Sequence, residues 1–259
     1  MEPEDDPDVA WVAHLAGCER AAAEHVLAEA TQERRLFTHL AAEHRREGRP
    51  SYVEIDAPLE LYTLVRLLRP RHVLEVGVSS GVSSAYLLQA LDRNERGTLH
   101  SVDRPKREPV GARRPGRPLP ASWALPSGRS SGWAVPEGLR ARWDLRIGDK
   151  RVVLPLLAEE LDEIELFVYD VPHDDRSTRT EFGAFDSRLA PSGVVIADHG
   201  PGGGMCDALR WWARRRGTRP SGRQGLGLYG FRSSTSSSEA RPPTRSVGFR
   251  RAEHRKGRT

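Results

Sequence analysis

The sequence predicts an α/β protein with one doubly wound sheet, mostly parallel, and helices on both faces of the sheet. Short apolar segments alternate with helix-forming segments between residues 58 and 232, which is the pattern of repeated β-α-β units. Most of the predicted strands end in Asp or Glu, and a glycine-rich turn follows the first of them. Ligands of such sheets bind at the carboxyl ends of the strands, so we expect the functional site at that edge.

The region before the first strand is predicted to be helical. Residues 1–8 are acidic and proline-punctuated, so we expect them to be disordered. Residues 9–57 are predicted as a helical extension with one or two helices, because apolar residues such as Val26, Ala30, Phe37 and Leu40 recur at helical spacing. A further helix from Leu59 to Leu68 ends ahead of Pro70. The extension is expected to lie on the domain, to form a dimer contact or to cover a substrate.

The stretch HVLEVGVSSGVSSAYLLQAL, residues 72–91, predicts a strand, a glycine-rich turn and a helix. Gly77 and Gly81 can adopt positive φ and bring bare backbone close to a ligand at the helix N-terminus. The spacing E-x-G-x-x-x-G differs from the G-x-G-x-x-G of dinucleotide sites and from a phosphate loop that ends in Gly-Lys-Ser. The carboxylate of Glu75 also suits an ammonium group or hydroxyls better than a phosphate. A plain turn between core elements is the alternative interpretation.

The later strands follow the same plan. They are predicted at Gly97 to Asp103, from Trp143 to a turn at Gly148 and Asp149, at Ile164 to Asp170, at Val194 to Gly200, and at Gly225 to Arg232. A helix is predicted between the fourth and fifth strands, because Phe182, Phe185 and Leu189 lie at i, i+3 and i+7. Residues 233–259 are rich in Ser, Arg and Pro and are predicted to be a disordered basic tail.

Asp103 ends the second strand and is the expected ribose ligand, because a carboxylate there can accept hydrogen bonds from both ribose hydroxyls. A nicotinamide enzyme would place an acid similarly. Between this strand and the third, residues 104–142 form a proline-rich insertion with nine basic and two acidic residues. Loops this long in a compact domain are usually either functional lids or disordered. Trp133 in this insertion is expected either to cover the ligand site or to anchor the loop to the core.

Composition limits the classes of function. A chain of 259 residues can hold one large domain with extensions. No apolar run is long enough to span a bilayer, and the N-terminus does not resemble a signal peptide. Two cysteines give neither a disulfide framework nor a metal-ligand pattern. We therefore expect a cytoplasmic protein, with no membrane partner. The formal charge of +4 hides an acidic body and a basic C-terminal part, which leaves nucleic-acid binding open.

The order of motifs from about residue 58 to residue 232 resembles that of class I S-adenosylmethionine-dependent methyltransferases. The resemblance implies a Rossmann-like methyltransferase fold with S-adenosylmethionine as cofactor. It also implies which positions bind that cofactor: Glu75, Gly77, Ser79, Gly81, Asp103, Gly148, Asp149 and Asp170. Within this group, Asp149 is expected to accept a hydrogen bond from the adenine amino group.

The fourth and fifth strands look like those of the bacterial small-molecule O-methyltransferases that include macrolide-sugar enzymes. Those enzymes commonly have D-G-D-H-S-Y after the fourth strand; here Asp170 and His173 match its first Asp and its His, while Val171 and Pro172 replace the residues between them. The resemblance implies a catalytic role for His173, Asp170 and His199, with His173 as the first choice of base. As an alternative, Asp170, Asp198 and His199 would hold Mg²⁺.

The favoured hypothesis is therefore transfer of a methyl group to a small molecule, with a hydroxyl oxygen as the expected acceptor. A nucleic-acid methyltransferase and a cofactor-binding module without activity remain as alternatives. A nicotinamide oxidoreductase is disfavoured by the glycine spacing. The partner is expected to be a small-molecule acceptor, and a homodimer is left open.

Overall fold

A computed structural model describes residues 8–32, 34–48, 58–105, 125–171, 175–199, 204–223 and 227–234. The helices are α1 (Val9–Ala16), α2 (Arg20–Gln32), α3 (Arg34–Arg46), α4 (Pro58–Leu68), α5 (Val82–Arg93), α6 (Lys150–Glu160), α7 (Asp175–Phe185) and α8 (Asp207–Arg215). The strands are β1 (His72–Val76), β2 (Thr98–Asp103), β3 (Trp143–Ile147), β4 (Ile164–Tyr169), β5 (Leu189–Asp198), β6 (Ser221–Arg223) and β7 (Leu228–Arg232). A 3₁₀ helix, Glu137–Arg142, precedes β3.

These strands form one sheet in the order β3-β2-β1-β4-β5-β7-β6. The five strands β1 to β5 pair in parallel, and β7 and β6 are antiparallel. The prediction of a mostly parallel, doubly wound sheet is confirmed. The chain winds outward in one direction from β1 through β2 to β3, and in the other from β4 to β5. The direction of winding reverses between β1 and β4, and ligands of such sheets bind at the carboxyl ends of the strands at such a reversal.

Two apolar clusters cover the two faces of the sheet, as predicted. One lies under α1 to α5 and contains, for example, Leu64, Leu87 and Leu166. The other lies under α6 to α8 and is rich in aromatic rings, including Phe182 and Trp212, whose ring centroids are 4.8 Å apart. No helix in the described segments has the length and hydropathy needed to cross a bilayer.

The N-terminal extension is part of the same core. The described part of it contains three helices, where one or two were predicted, and Phe37 is 56% exposed instead of facing the core. The guanidinium of Arg232 in β7 donates to the carbonyl oxygens of Leu15 and Ala16 at the end of α1, at 3.1 and 2.7 Å. The extension is therefore joined to β7, the strand next to the β6 edge of the sheet.

The predicted helix through Leu189 is too long. Helix α7 ends at Phe185, and Leu189 begins β5, where it pairs with Ile164. The register shifts before Leu166 pairs with Val194, so the residues between form an irregular part of the strand. The spacing of the apolar residues fits a helix, but the turn at residues 186–188 comes between them. Strand β6 was not predicted, and its three residues carry little pattern.

Candidate functional site

The glycine turn, residues 77–81, lies where the carboxyl ends of three strands meet. The Gly77 N–H donates to the Val102 carbonyl at 2.9 Å, and the Asp170 N–H donates to the Val76 carbonyl at 2.8 Å. Gly77 has φ +98°, and a Cβ atom there would lie 1.9 Å from the carbonyl oxygen of Asp170. Glycine is therefore required because the ends of β1 and β4 approach so closely.

Gly81 is required for a different contact. Its φ is +91°, and a Cβ atom would lie 2.6 Å from a Val135 methyl and 2.8 Å from the Gly132 Cα. Both neighbours belong to the proline-rich insertion. The sequence predicted glycines that expose backbone to a ligand; the structure shows each glycine making room for another part of the chain. The prediction that both residues contact a cofactor is not tested by this packing.

Glu75 lies beneath the turn and is completely buried. Its carboxylate accepts hydrogen bonds from three serine hydroxyls, those of Ser83, Ser84 and Ser101, each at 2.7 Å. Burial raises the pKa of Glu75 to about 7, although these three hydrogen bonds oppose the rise. The hydroxyl partners expected for Glu75 are thus supplied by the protein itself. Glu75 fixes the base of the turn and does not face its outer surface.

Asp103 ends β2 beside the turn, and only 9% of the residue is exposed. The backbone N–H groups of Val78, Ser79 and Arg104 lie close enough to its carboxylate to favour the charged form. The hydroxyl of Ser131 donates to its Oδ2. Burial raises the pKa of Asp103, and these four groups oppose that rise. The expected ribose ligand is therefore at the carboxyl edge and next to the turn, but protein groups surround it.

Residues 129–135 of the insertion pack on top of the turn, and we call this segment the roof. The Gly132 N–H donates to the Ser79 carbonyl at 2.8 Å, and the Ala134 N–H donates to the Ser80 carbonyl at 3.0 Å. Gly132 itself lies against the ring of Trp143, since a Cβ atom would be 2.0 Å from it. These two backbone hydrogen bonds join the roof to the turn. The part of the insertion at residues 106–124 lies outside the described residues.

Helix α3 holds the roof from the other side. His39 Nε2 lies 3.1 Å from the Ala134 carbonyl oxygen. Arg129 forms an ion pair with Glu47, with 2.6 Å between Nη2 and Oε1. The guanidinium of Arg129 also lies 5.3 Å from the ring centre of Trp133, a cation–π contact. Of the two roles expected for Trp133, the structure shows the anchoring one. Of the roles expected for the N-terminal helices, the structure shows that of helices packed on the domain.

Asp149 is the N-cap of α6 and accepts a hydrogen bond from the Arg151 N–H at 3.0 Å. Its carboxylate also pairs with the guanidinium groups of Arg151 and Arg104, at 2.6 and 2.9 Å. These arginines hold the pKa of Asp149 well below its usual range. The neighbouring Gly148 N–H donates to the Asp103 carbonyl at 2.9 Å, which joins this turn to the site. The adenine contact expected of Asp149 remains a prediction.

The predicted catalytic residues lie at the same edge, farther along the sheet. Asp170 follows β4, and Asp198 ends β5, which is the neighbouring strand. The His199 N–H donates to the Gly227 carbonyl at 3.0 Å, and its ring lies 5.7 Å from that of Tyr229. His173 lies outside the described residues.

The magnesium set predicted from the sequence does not assemble. Asp170, Asp198 and His199 are all among the described residues, and no group of three or more His, Cys, Asp or Glu side chains there could hold a metal ion. The Mg²⁺ therefore remains a prediction, and we derive no chemistry from a metal.

Sequence reasoning missed the contacts that enclose the turn. Ser131 and Asp103 are 28 residues apart, and His44 and Ser80 are 36 residues apart. A further buried group was also missed: Lys150 Nζ lies 2.8 Å from Glu181 Oε2 and 2.6 Å from the Tyr169 hydroxyl. No local motif marks any of these residues. The one sequence signal available was a polar residue standing within an otherwise apolar segment.

Three kinds of comparison relate this chain to known proteins. Residues 74–199 match a family model described as a methyltransferase domain. A Klebsiella pneumoniae protein provisionally named an O-methyltransferase aligns at a TM-score of 0.51 and 16% identity, over 78% of this chain and 90% of that chain. TomG of Streptomyces achromogenes is an O-methyltransferase of tomaymycin synthesis whose structure was determined with S-adenosylmethionine. It aligns at a TM-score of 0.48 and 20% identity, over 78% of this chain and 90% of that chain. No curated protein matches the sequence.

The sequence match extends from within β1 to the residue after β5 and so includes the turn, Asp103, Asp170 and Asp198. The Klebsiella likeness independently shows the fold. The strand order and the position of the glycine turn agree with both findings. Residues 74–199 of this chain therefore match a methyltransferase domain, in agreement with the resemblance to class I S-adenosylmethionine-dependent methyltransferases.

Proposed function

We propose that this protein transfers the methyl group of S-adenosylmethionine to a hydroxyl oxygen of a small molecule. The observation that carries the proposal is the position of Asp103. Its carboxylate ends β2 next to the glycine turn, at the carboxyl edge of the sheet and beside the reversal point. An acid in that position can orient a ribose, and it lies within the residues that match the methyltransferase domain.

The residues around the turn fit the donor in two further respects. Gly81 is the N-cap of α5 and supplies no side-chain hydrogen bond. The first N–H groups of α5 therefore have no capping side chain, and such groups attract a carboxylate like that of the donor's amino-acid part. Gly77, Ser79 and Gly81 are kept as proposed cofactor contacts, through backbone atoms of the turn. Gly148 and Asp149 are kept as the proposed adenine side of the site.

The donor, when bound, supplies a methyl group on a sulfonium, which makes that carbon electrophilic. The task of the protein is to align the acceptor oxygen and to remove its proton. His173 follows Asp170 closely in sequence, so we propose it as the base that takes the proton from the acceptor hydroxyl. His199, at the end of the adjacent strand, is the second choice. Asp170 is proposed to position the acceptor and the base between β4 and β5.

The choice of oxygen as acceptor atom depends on the loop after β4. Its His173 matches the histidine of the O-methyltransferase pattern, and no N/D-P-P-Y/F sequence typical of amino-group methylation follows β4. The roof and α3 enclose the turn closely, with Ser131 and Trp133 against it. This enclosure favours a small acceptor over a nucleic-acid duplex.

The proposal is tested by incubating the full chain with S-adenosylmethionine carrying a ¹³C-labelled methyl group and a panel of phenols, catechols and hydroxylated sugars. Total RNA and free amines serve as competing acceptor classes. We expect a labelled methyl ether, identified by its ¹³C chemical shift, with at least one hydroxyl compound. Labelling of RNA or of amines alone would contradict the proposed acceptor.

A further inference from the structure

Lys150, the first residue of α6, reaches the aromatic cluster under α6 to α8 with its side chain. Its Nζ donates to the Tyr169 hydroxyl at 2.6 Å and forms a salt bridge with Glu181 Oε2 at 2.8 Å. The Tyr169 hydroxyl in turn donates to the same Oε2 at 2.5 Å. Tyr169 is fully buried and Glu181 is 4% exposed, whereas the Lys150 side chain is 23% exposed. The three side chains form a triangle of hydrogen bonds with Lys150 on its solvent side.

The triangle joins two parts of the carboxyl edge that the sheet keeps apart. Lys150 follows the turn after β3, and Tyr169 is the last residue of β4. Strands β2 and β1 lie between these two strands. At a strand spacing of about 4.8 Å, β3 and β4 are roughly 14 Å apart, too far to share backbone hydrogen bonds. The Lys150 side chain is therefore a direct link between the turn after β3 and the end of β4.

Each end of this link adjoins a residue with a proposed role. Lys150 directly follows Asp149, which is proposed to lie on the adenine side of the donor site. Tyr169 directly precedes Asp170, which is proposed to position the acceptor. The turn before Lys150 also donates a backbone hydrogen bond to the Asp103 carbonyl, at 2.9 Å. A continuous set of contacts therefore runs from the donor side of the edge to the acceptor side.

The β4 end of the link is rigid. The Tyr169 ring packs edge-to-face against Phe182, with 5.0 Å between ring centroids, and lies 6.1 Å from the ring of Phe167. Burial raises the pKa of Tyr169, so its hydroxyl keeps its proton and its hydrogen bond to Glu181. A side chain packed in this way has little freedom to change rotamer. Lys150 therefore holds the turn after β3 against a fixed point at the end of β4.

We propose that Lys150 is a positioning residue that couples the donor site to the acceptor side of the sheet, by fixing Asp170 relative to the adenine-side turn through Tyr169. This inference rests on the proposed function, since it assumes the donor and acceptor sides assigned there. A bound donor would hold the turn after β3 in place, and Lys150 would transmit this restraint to the end of β4. Donor binding would thus order the position at which the acceptor oxygen is aligned.

The test is hydrogen exchange of the Asp170 amide, which donates to the Val76 carbonyl. It is measured in the full chain with and without saturating S-adenosylhomocysteine, the demethylated donor, with saturation established by calorimetry. The double variant Lys150→Met/Glu181→Gln removes both charges of the salt bridge and keeps side chains of similar size.

We expect the ligand to slow exchange of this amide at least about fivefold in the native chain, the lower end of usual coupling between sites, and less than about twofold in the double variant. Glu159→Gln is the matched control, because Glu159 is an exposed acid on the same helix, and it should respond like the native chain. A purely structural salt bridge would change exchange with and without ligand alike and leave their ratio unchanged.

The outcomes separate this coupling from the proposed function. If the native chain binds the ligand and the ratio is the same in the double variant, the coupling is wrong and the proposed function stands. The same holds if the ligand binds without slowing the Asp170 amide in the native chain. If the folded native chain does not bind the ligand, both proposals fall.

Tyr169→Phe covers the case in which the double variant does not fold. This change keeps the ring and the salt bridge between Lys150 and Glu181, and it removes only the hydroxyl that joins Lys150 to β4. We expect the ligand to slow the Asp170 amide less than about twofold in this variant. Slowing as large as that in the native chain would show that Lys150 does not act through Tyr169 and would overturn the proposal.

Discussion

The Nε2 atom of His44 lies 3.1 Å from the hydroxyl oxygen of Ser80 and joins helix α3 directly to the glycine turn. Its Nδ1 lies 2.8 Å from the Leu40 carbonyl oxygen, which can only accept a hydrogen bond. Nδ1 therefore carries a proton, and in the neutral ring Nε2 accepts from Ser80. The ring is almost fully buried. One histidine thus fixes the distance between the N-terminal helices and the proposed donor site.

We expect His44→Ala to lower the free energy of unfolding by about 2–4 kcal/mol, because it removes two buried hydrogen bonds and the packing against Trp133. Urea denaturation monitored by circular dichroism measures this change. His25→Ala is the control, since His25 is exposed on α2 and its loss should change stability by less than about 0.5 kcal/mol. Equal stability of the two variants would show that His44 does not hold α3 in place.

The Glu75 cluster predicts how stability depends on pH. The pKa of Glu75 is raised to about 7 in the folded protein and is near 4.5 when the chain is unfolded. Between these values the folded state binds the extra proton, so this group makes the protein less stable as the pH rises from about 4.5 to about 7. The contribution is about 3 kcal/mol in total.

Replacing Glu75 by Gln removes this titration while keeping a side chain of the same size. We expect the unfolding free energy of Glu75→Gln to fall less steeply between pH 5 and pH 8 than that of the native protein. Denaturation curves at unit intervals of pH measure both slopes. Identical slopes would mean that Glu75 has an ordinary pKa in its buried site.

Alanine substitutions at two glycines with positive φ allow the cost of backbone strain to be measured separately from the cost of a steric clash. Gly128 has φ +82°, and no atom of the described residues lies within 4 Å of the position that a Cβ would take there, whereas a Cβ at Gly77 would collide with the Asp170 carbonyl. We expect Gly128→Ala to cost about 1–2 kcal/mol through its backbone conformation alone. Gly77→Ala should cost more than about 3 kcal/mol and also loosen the ends of β1 and β4. Thermal unfolding of the two variants gives the comparison, and equal Tm values would contradict the close approach of the strands.

The proposed base predicts a pH dependence of methyl transfer. If a histidine takes the proton from the acceptor hydroxyl, the rate should rise with pH through the range in which imidazoles titrate, near pH 6.5. We expect His173→Ala to lower kcat by about 10²–10⁴ and to remove this rise. His199→Ala, the second choice, should have the smaller effect on kcat. A His173→Ala enzyme with the native rate and pH profile would exclude it as the base.

Much of the fold could be predicted from the sequence, because the patterns that indicate each strand and helix lie within a few neighbouring residues. Strands β2, β4 and β5 combine a short apolar run with an acid at or just after the strand end, and Asp103, Asp170 and Asp198 each lie at the predicted edge. The helix through Leu189 was wrong for a local reason also: three apolar residues satisfied the helical spacing across a turn. Apolar spacing alone cannot distinguish one continuous helix from a helix followed by a turn and a strand, when the turn residues are polar and include no glycine.

The segments that cover the glycine turn could not be predicted, because their contacts join residues that are far apart in the sequence. Both glycines of the turn were recognised, but the close neighbours of Gly81 come from the insertion, more than 50 residues later. Glu75 was recognised as acidic and placed at a strand end, yet its partners are three serines beneath the turn. Ser131 has no motif around it. Tertiary packing, not local pattern, decides which groups reach these carboxylates.

The most direct test of the central claim is a calorimetric titration of S-adenosylmethionine into the native chain, Asp103→Asn and Asp92→Asn. Asp92 is an exposed acid on α5 and serves as the matched control. We expect micromolar binding by the native chain and by Asp92→Asn. Binding by Asp103→Asn should be at least about thirtyfold weaker, because the variant loses one charged acceptor for the ribose. Absence of binding by the folded native chain, or equal binding by Asp103→Asn, would contradict the claim.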